Sequence, residues 1–312
     1  MKALKLQLGG LVSSDARKGQ LLMILATFAW GSSFPAVKWG LSFIHPLIFV
    51  FFRFVAAGLM TIAFARFLGA GNVFHFLRDR RIFVLGLFNS LGYLLQFIGM
   101  EYTTAGKAAL LINMNVVVVA VLSFFFLGES MGWQKITAII VSILGVFLIT
   151  TNGNLETLWS GMFIGDIIVL FGGVFWAFYI VYSKMVLNTA DEKGVEINSM
   201  DITSAVIVMT MFVLAIPATI YGFYDPTSLS TLITAPSIIA ICYTGLICTT
   251  IAFTLYFAGL KHISASVSAV IMLLEIVFAV ILAFLFLSEI PSIYTVLGGL
   301  LIGAAIYLVS KE

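Results

Sequence analysis

Long apolar runs separated by short polar links organise this chain. Ten of them, at 19–39, 46–68, 82–100, 104–127, 133–151, 161–186, 200–222, 235–258, 263–287 and 292–310, match the ~20 residues an α-helix needs to cross a bilayer. Segments 116–121 and 124–127 are apolar at every position, where a membrane barrel strand would alternate strictly, so the pattern predicts helices. The links at 101–103 and 259–262 leave room only for tight helical hairpins. The expected fold is an all-α integral membrane protein of ten transmembrane helices. Its organisation reads as an N-terminal tail (1–18), a first unit (19–151), a linker (152–160) and a second unit (161–310).

Lys and Arg placement orients the spans. With the N-terminus in the cytoplasm, thirteen basic residues fall on that side: Lys2, Lys5, Arg17, Lys18, Arg66, Arg78, Arg80, Arg81, Lys135, Lys184, Lys193, Lys261 and Lys311. Lys38 and Lys107 fall on the outer side, and Arg53 lies inside a span. Both termini are therefore expected to be cytoplasmic, in a plasma or inner membrane.

Composition narrows the function classes. The chain is 62% apolar and 10% charged, against about a quarter charged for a soluble domain, so an ordinary soluble enzyme is excluded. A net charge of +2 gives no footprint for nucleic acid. Cys242 and Cys248 are separated by about 9 Å along a helix, beyond the ~7 Å reach of a disulfide. His45, His75 and His262 are scattered, and neither a Walker sequence nor a nucleophile–base set is present. No metal, cofactor or catalytic residue is expected. The expected partners are a lipid bilayer and a small-molecule substrate, with the chain acting as a monomer.

The sequence also repeats. A shift of 160 superposes Phe97 on Phe257, Gly99 on Gly259, Ala105 on Ala265, Phe126 on Phe286, Leu127 on Leu287 and Glu129 on Glu289. Near the start of each half the shift is 146, pairing Trp30 with Trp176 and Lys38 with Lys184. Two units of five spans, an odd number, must sit in opposite orientations. Such inverted repeats are a signature of secondary transporters, with the substrate near mid-membrane between the halves.

The run Trp30-Gly31-Ser32-Ser33-Phe34-Pro35-Ala36-Val37-Lys38, with Pro46 and Arg53 beyond it, resembles the start of an EamA domain. Phe126-Leu127-Gly128-Glu129 with Gln134 and Gly145 fits the same pattern, echoed by Phe286-Leu287-Ser288-Glu289 with Gly298. The whole chain is thus similar to two EamA units of the drug/metabolite transporter superfamily. That resemblance implies ten helices and the movement of small organic metabolites, often amino acids and often outward. One departure is visible: the fourth and ninth helices of that family often carry a central proline, where this chain has Asn115-Val116 and Glu275-Ile276. The resemblance therefore implies a weaker or shifted break in those two helices.

Polar groups inside lipid are costly, about 2.5–3.5 kcal/mol for a central Arg or Asp on insertion scales, and mark candidate positions. Glu275, Arg53 and Lys38 are candidates for ion pairing or coupling. Asn89, Tyr93 and Gln96 are spaced to share one helix face and, with Trp30, Ser33, Asn113, Trp176, Tyr179 and Tyr256, are candidates to line a cavity. Gly31 and Pro35 are candidate hinge residues. Each has a structural alternative, as a helix tie, as packing or as a static kink. The function these features suggest is alternating-access export of an amino acid or related neutral or zwitterionic compound, with proton coupling through Glu275. The alternatives are a sugar-phosphate or nucleotide-sugar exchanger of the same superfamily and a membrane-embedded enzyme.

Overall fold

The computed structural model describes residues 2–67, 76–102, 111–151, 153–158, 163–192, 198–287 and 292–309, and every regular element among them is helical. The first half comprises α1 (Lys2–Gly31), α2 (Ser33–Gly40), α3 (Pro46–Phe67), α4 (Arg80–Tyr102), α5 (Asn115–Leu127) and α6 (Trp133–Thr151). The second comprises α7 (Phe163–Glu192), α8 (Ser199–Tyr224), α9 (Ala235–Gly245), α10 (Ala252–Leu260), α11 (Ala265–Met272), α12 (Leu274–Leu287) and α13 (Ile293–Val309). A π-helical turn, Leu246–Ile251, joins α9 to α10.

Helix α1 begins at Lys2, so the segment expected as a separate tail continues helically into the first apolar run. No proline interrupts it before Pro35, which lacks the N–H that would reach the Gly31 carbonyl. The rod breaks there, between α1 and α2. The fourth and ninth runs break without proline, one residue before Asn115 and two before Glu275. At Met114 and Leu273 the ladder tightens to three-residue bonds: Val117 N–H donates to Met114 O at 3.1 Å and Ile276 N–H to Leu273 O at 3.2 Å.

Five of the described helical segments are long and apolar enough to cross a membrane: Pro46–Phe67, Arg80–Gly99, Ile164–Glu192, Ser199–Tyr224 and Ala235–Leu260. Of the shorter apolar helices, Leu111–Leu127 packs on α7 and Ile293–Leu308 on α6. Phe125, Phe67 and Leu59 lie exposed, as side chains facing lipid rather than water should.

Helix pairing follows the sequence repeat. Helix α4 packs on α7 and α1 on α10; α3 packs on α8 and α6 on α13. Exchanging each run for its counterpart in the other half converts the α4–α7 pair into α10–α1 and leaves the other two pairs unchanged. The agreement extends to single residues. A Cβ on Gly99 would stand 3.0 Å from both Gly165 O and Val169 N. A Cβ on Gly259 would stand 2.9 Å from Gly19 O and 3.2 Å from Met23 N. Positions 99 and 259 differ by 160, while 19 and 165, like 23 and 169, differ by 146. Both crossings bring backbone against backbone, which only glycine permits.

Helix α7 also sets the two hairpin links apart. At one end Gly165 lies against Tyr102, beside the first link. At the other, Lys184 Nζ donates to Leu260 O at 2.7 Å, beside the second. Nineteen residues of helix separate those contacts, roughly 28 Å at ~1.5 Å per residue.

Candidate functional site

Helix α3 and the π-helical turn together hold a buried cation. Gly245 lets α9 approach α3 closely, since a Cβ there would stand 3.1 Å from Arg53 O. The wider turn that follows redirects its backbone and side chains, as π-bulges do. Arg53 is 3% exposed. Its Nε donates to Thr249 Oγ1 at 2.8 Å, and its Nη2 donates to Cys248 O at 3.2 Å and to Tyr93 OH at 3.5 Å. Its Cζ also stands 5.3 Å from the Tyr93 ring centroid. A guanidinium has five donors, so bonding capacity remains.

Glu275 opens α12, just after the break at Leu273, and is half-buried. Its carboxylate is within electrostatic reach of Arg53, Tyr93 and Cys248 but forms no direct ion pair with Arg53.

Aromatic rings connect the halves. Trp30 of α1 meets Phe253 edge-on at 5.4 Å and Tyr256 at 5.7 Å. Tyr256 stacks with Tyr179 of α7 at 6.0 Å, Tyr179 meets Trp176 at 5.7 Å, and Trp176 meets Tyr93 of α4 at 4.9 Å. Trp176 lies close over Gly92, where a Cβ would come within 2.9 Å of the indole. Ser183 Oγ lies within hydrogen-bonding reach of both Tyr179 OH and Tyr256 OH. Of these buried groups, Trp30 Nε1 has no hydrogen-bond partner. Unpaired buried donors are costly, about 1–3 kcal/mol each, and mark unfilled bonding capacity.

The structure thus brings Trp30, Arg53, Tyr93, Trp176, Tyr179, Tyr256 and Glu275 into one interior. Asn89 ties α4 to α8, its Nδ2 donating to Thr210 Oγ1 at 3.0 Å, beside Ser90 Oγ, which donates to Thr210 O at 3.2 Å. Gln96 is half-buried on α4; Asn113 precedes the break at Met114, and Ser33 follows the one after Gly31. Lys38 and Pro35 lie on α2, and their side chains are outside the described residues, as are Lys107 and Glu289. At Ser32 the broken rod is tied to the eighth run: Ser32 Oγ donates to Ala29 O at 2.7 Å and accepts from Tyr243 OH at 2.9 Å.

Sequence reasoning missed Phe253, Thr249 and the Cys248 carbonyl. Phe253 was accessible, because the shift of 160 pairs it with Tyr93. The Arg53 acceptors were not, because a π-helical turn has no residue signature.

A duplicated helical bundle around a buried cation, a carboxylate and a band of aromatic rings defines a membrane protein of the transporter class. The chain belongs to the EamA-like transporter family, whose sequence profile matches residues 17–151 and 163–311. It is 29% identical to an uncharacterized transporter of Archaeoglobus fulgidus, over 95% of this chain and 98% of that protein. It is 26% identical to a probable terminal-alkyne amino-acid exporter of Streptantibioticus cattleyicolor, over 93% and 92%. A solved crystal structure of 17% identity superposes with a TM-score of 0.76, covering 94% of this chain and 96% of its own, and shows the same fold.

Proposed function

We propose that this protein is a secondary transporter that exports an amino acid or a related small zwitterion by alternating access. Two five-span halves in opposite orientation would exchange conformations, with both termini in the cytoplasm of a cell that carries the protein in its plasma or inner membrane. The observation that carries the reading is the buried Arg53 guanidinium, set against the Tyr93 ring at one end of the Trp30–Tyr93 band and within electrostatic reach of Glu275. Arg53 suits a carboxylate, Glu275 an ammonium, and the Trp30–Tyr93 band an apolar side chain. One cation suits a zwitterion better than a phosphate ester, which favours several. The named function of the Streptantibioticus relative points the same way.

The test is counterflow in liposomes of purified protein loaded with amino acids, nucleosides or sugar phosphates. Trans-stimulated exchange of a zwitterionic amino acid is expected, and exchange of sugar phosphates alone would overturn the reading. Glu275→Gln should keep exchange and abolish uptake driven by a pH gradient; an unchanged response to the gradient removes Glu275 from coupling.

A further inference from the structure

The turn between α10 and α11 is gripped at both ends by charged side chains from the other runs. Helix α11 begins with amides that need acceptors. Ser264 caps it in part, its Oγ accepting from Val267 N–H at 3.2 Å. The amides of Ala265 and Ser266 instead donate to Glu129 carboxylate oxygens at 2.7 Å and 3.3 Å, and Ser266 Oγ donates to the same carboxylate at 2.6 Å. Glu129 is aimed there by Gly128, whose positive φ of 63° ends α5 while Glu129 N–H closes back on Ser123 O at 3.2 Å. Lys135, almost wholly buried at the start of α6, stands 3.5 Å from Glu129 Oε2.

At the other side of the turn, Lys184 of α7 donates to the carbonyls of Leu260 and Lys261 at 2.7 Å and 3.3 Å. Anion at a helix N-terminus and cation at a helix C-terminus both match the helix dipoles. The middle of α1 closes on the same turn, with Gly19 against His262 and Ile263. Glu129 and Lys184 come from opposite halves of the chain, and Lys184 lies five residues beyond Tyr179 along α7. The repeat pairs them with Glu289 and Lys38, whose side chains lie outside the described residues, so the inference concerns the one end that is described.

We infer that Glu129 and Lys184 are a latch that holds the Leu260–Ser266 turn closed at the lysine-rich end of the molecule, and that their release is the step that opens this end to solute. This rests on the transporter reading. Both residues act through the turn and touch no solute, so they are positioning residues. A carboxylate holding two amides and a hydroxyl is a bistable contact: it is strong when made, and in the open state its partners find water instead.

Side-resolved thiol labelling tests it. Cys248 is buried beside Ser32 in the interior, and Cys242→Ser leaves it as the sole cysteine. A membrane-impermeant charged methanethiosulfonate is applied to vesicles of either orientation. Loss of charge-assisted bonds shifts a two-state population by about tenfold or more. Glu129→Gln and Lys184→Met should therefore each raise Cys248 labelling from the lysine-rich face by about that factor, with Glu129→Asp partly restoring the parent rate. A purely structural cap would lower the melting temperature and leave the ratio between the two faces unchanged, which overturns the latch; so would an equal rise from both faces. Counterflow on the same vesicles reports the transporter reading separately: a parent that labels asymmetrically without exchanging any solute defeats that reading, not the geometry of the latch.

Discussion

The α4–α7 and α1–α10 crossings are one joint built twice, and they differ only in what lines them. The backbone contacts match: Gly99 on Gly165 and Val169, Gly259 on Gly19 and Met23. So do the ring contacts, Trp176 on Tyr93 and Trp30 on Phe253, both edge-on. The hydroxyl present at Tyr93 is missing at Phe253, and Gln96 has Tyr256 as its mate. The cause lies in the partner helix. Arg53 of α3 reaches Tyr93, whereas α8, the counterpart of α3, contains no Lys or Arg. The framework has stayed symmetric while the chemistry it carries has become one-sided, with a cation beside one joint and tyrosines packed around the other.

The strongest way to break this comparison is to remove the one-sided element. Arg53→Met leaves Glu275 without its nearby cation and strips Thr249 and the Cys248 carbonyl of their donor. Three hydrogen bonds from a charged group are lost, at about 1.5–3 kcal/mol each, so the melting temperature should fall, and counterflow, deprived of the cation for the solute's carboxylate, should drop at least about a hundredfold. Full exchange in this variant would separate the site from Arg53.

The joints themselves offer the next test. Gly99→Ala and Gly259→Ala each force a methyl against backbone, and overpacking of this kind costs about 1–3 kcal/mol. Denaturant or thermal unfolding in detergent should show losses of similar size. A loss at one position only would mean that the two crossings are not equivalent.

The smallest effects come from exchanging the mates. Phe253→Tyr adds a hydroxyl at a fully buried position among packed rings, at a cost of about 1–3 kcal/mol if nothing accepts from it. Tyr93→Phe removes a long bond of 3.5 Å and should cost less, about 0.5–1.5 kcal/mol. Measured stabilities in the reverse order would show that Arg53 depends on the Tyr93 hydroxyl more than the geometry indicates.

Much of this architecture was legible before any coordinates. Two shifts of the sequence paired Gly99 with Gly259 and Trp30 with Trp176, but that the glycines mark helix crossings became visible only in the fold. Apolar periodicity placed the runs, since lipid-facing and core-facing positions alike exclude charge. It could not place the breaks at Met114 and Leu273, which carry no proline or glycine and arise from three-residue bonds set by tertiary packing. Asn89 shows the complementary limit. Its spacing with Tyr93 and Gln96 suggested a cavity wall, yet neighbouring α8 takes up its amide through Thr210. Nor did spacing reveal that Glu129, conspicuous as a repeat mate, would reach 136 residues onward to the first amides of α11.

The glycine crossings bear on how such a protein diversifies. Where helices touch through main chain alone, no side-chain identity is needed to keep their geometry, so the surrounding walls are free to accumulate change. A gene that doubled once could keep its two pivots with a handful of invariant small residues and let each lining drift toward a different solute, without having to reinvent the means of moving it.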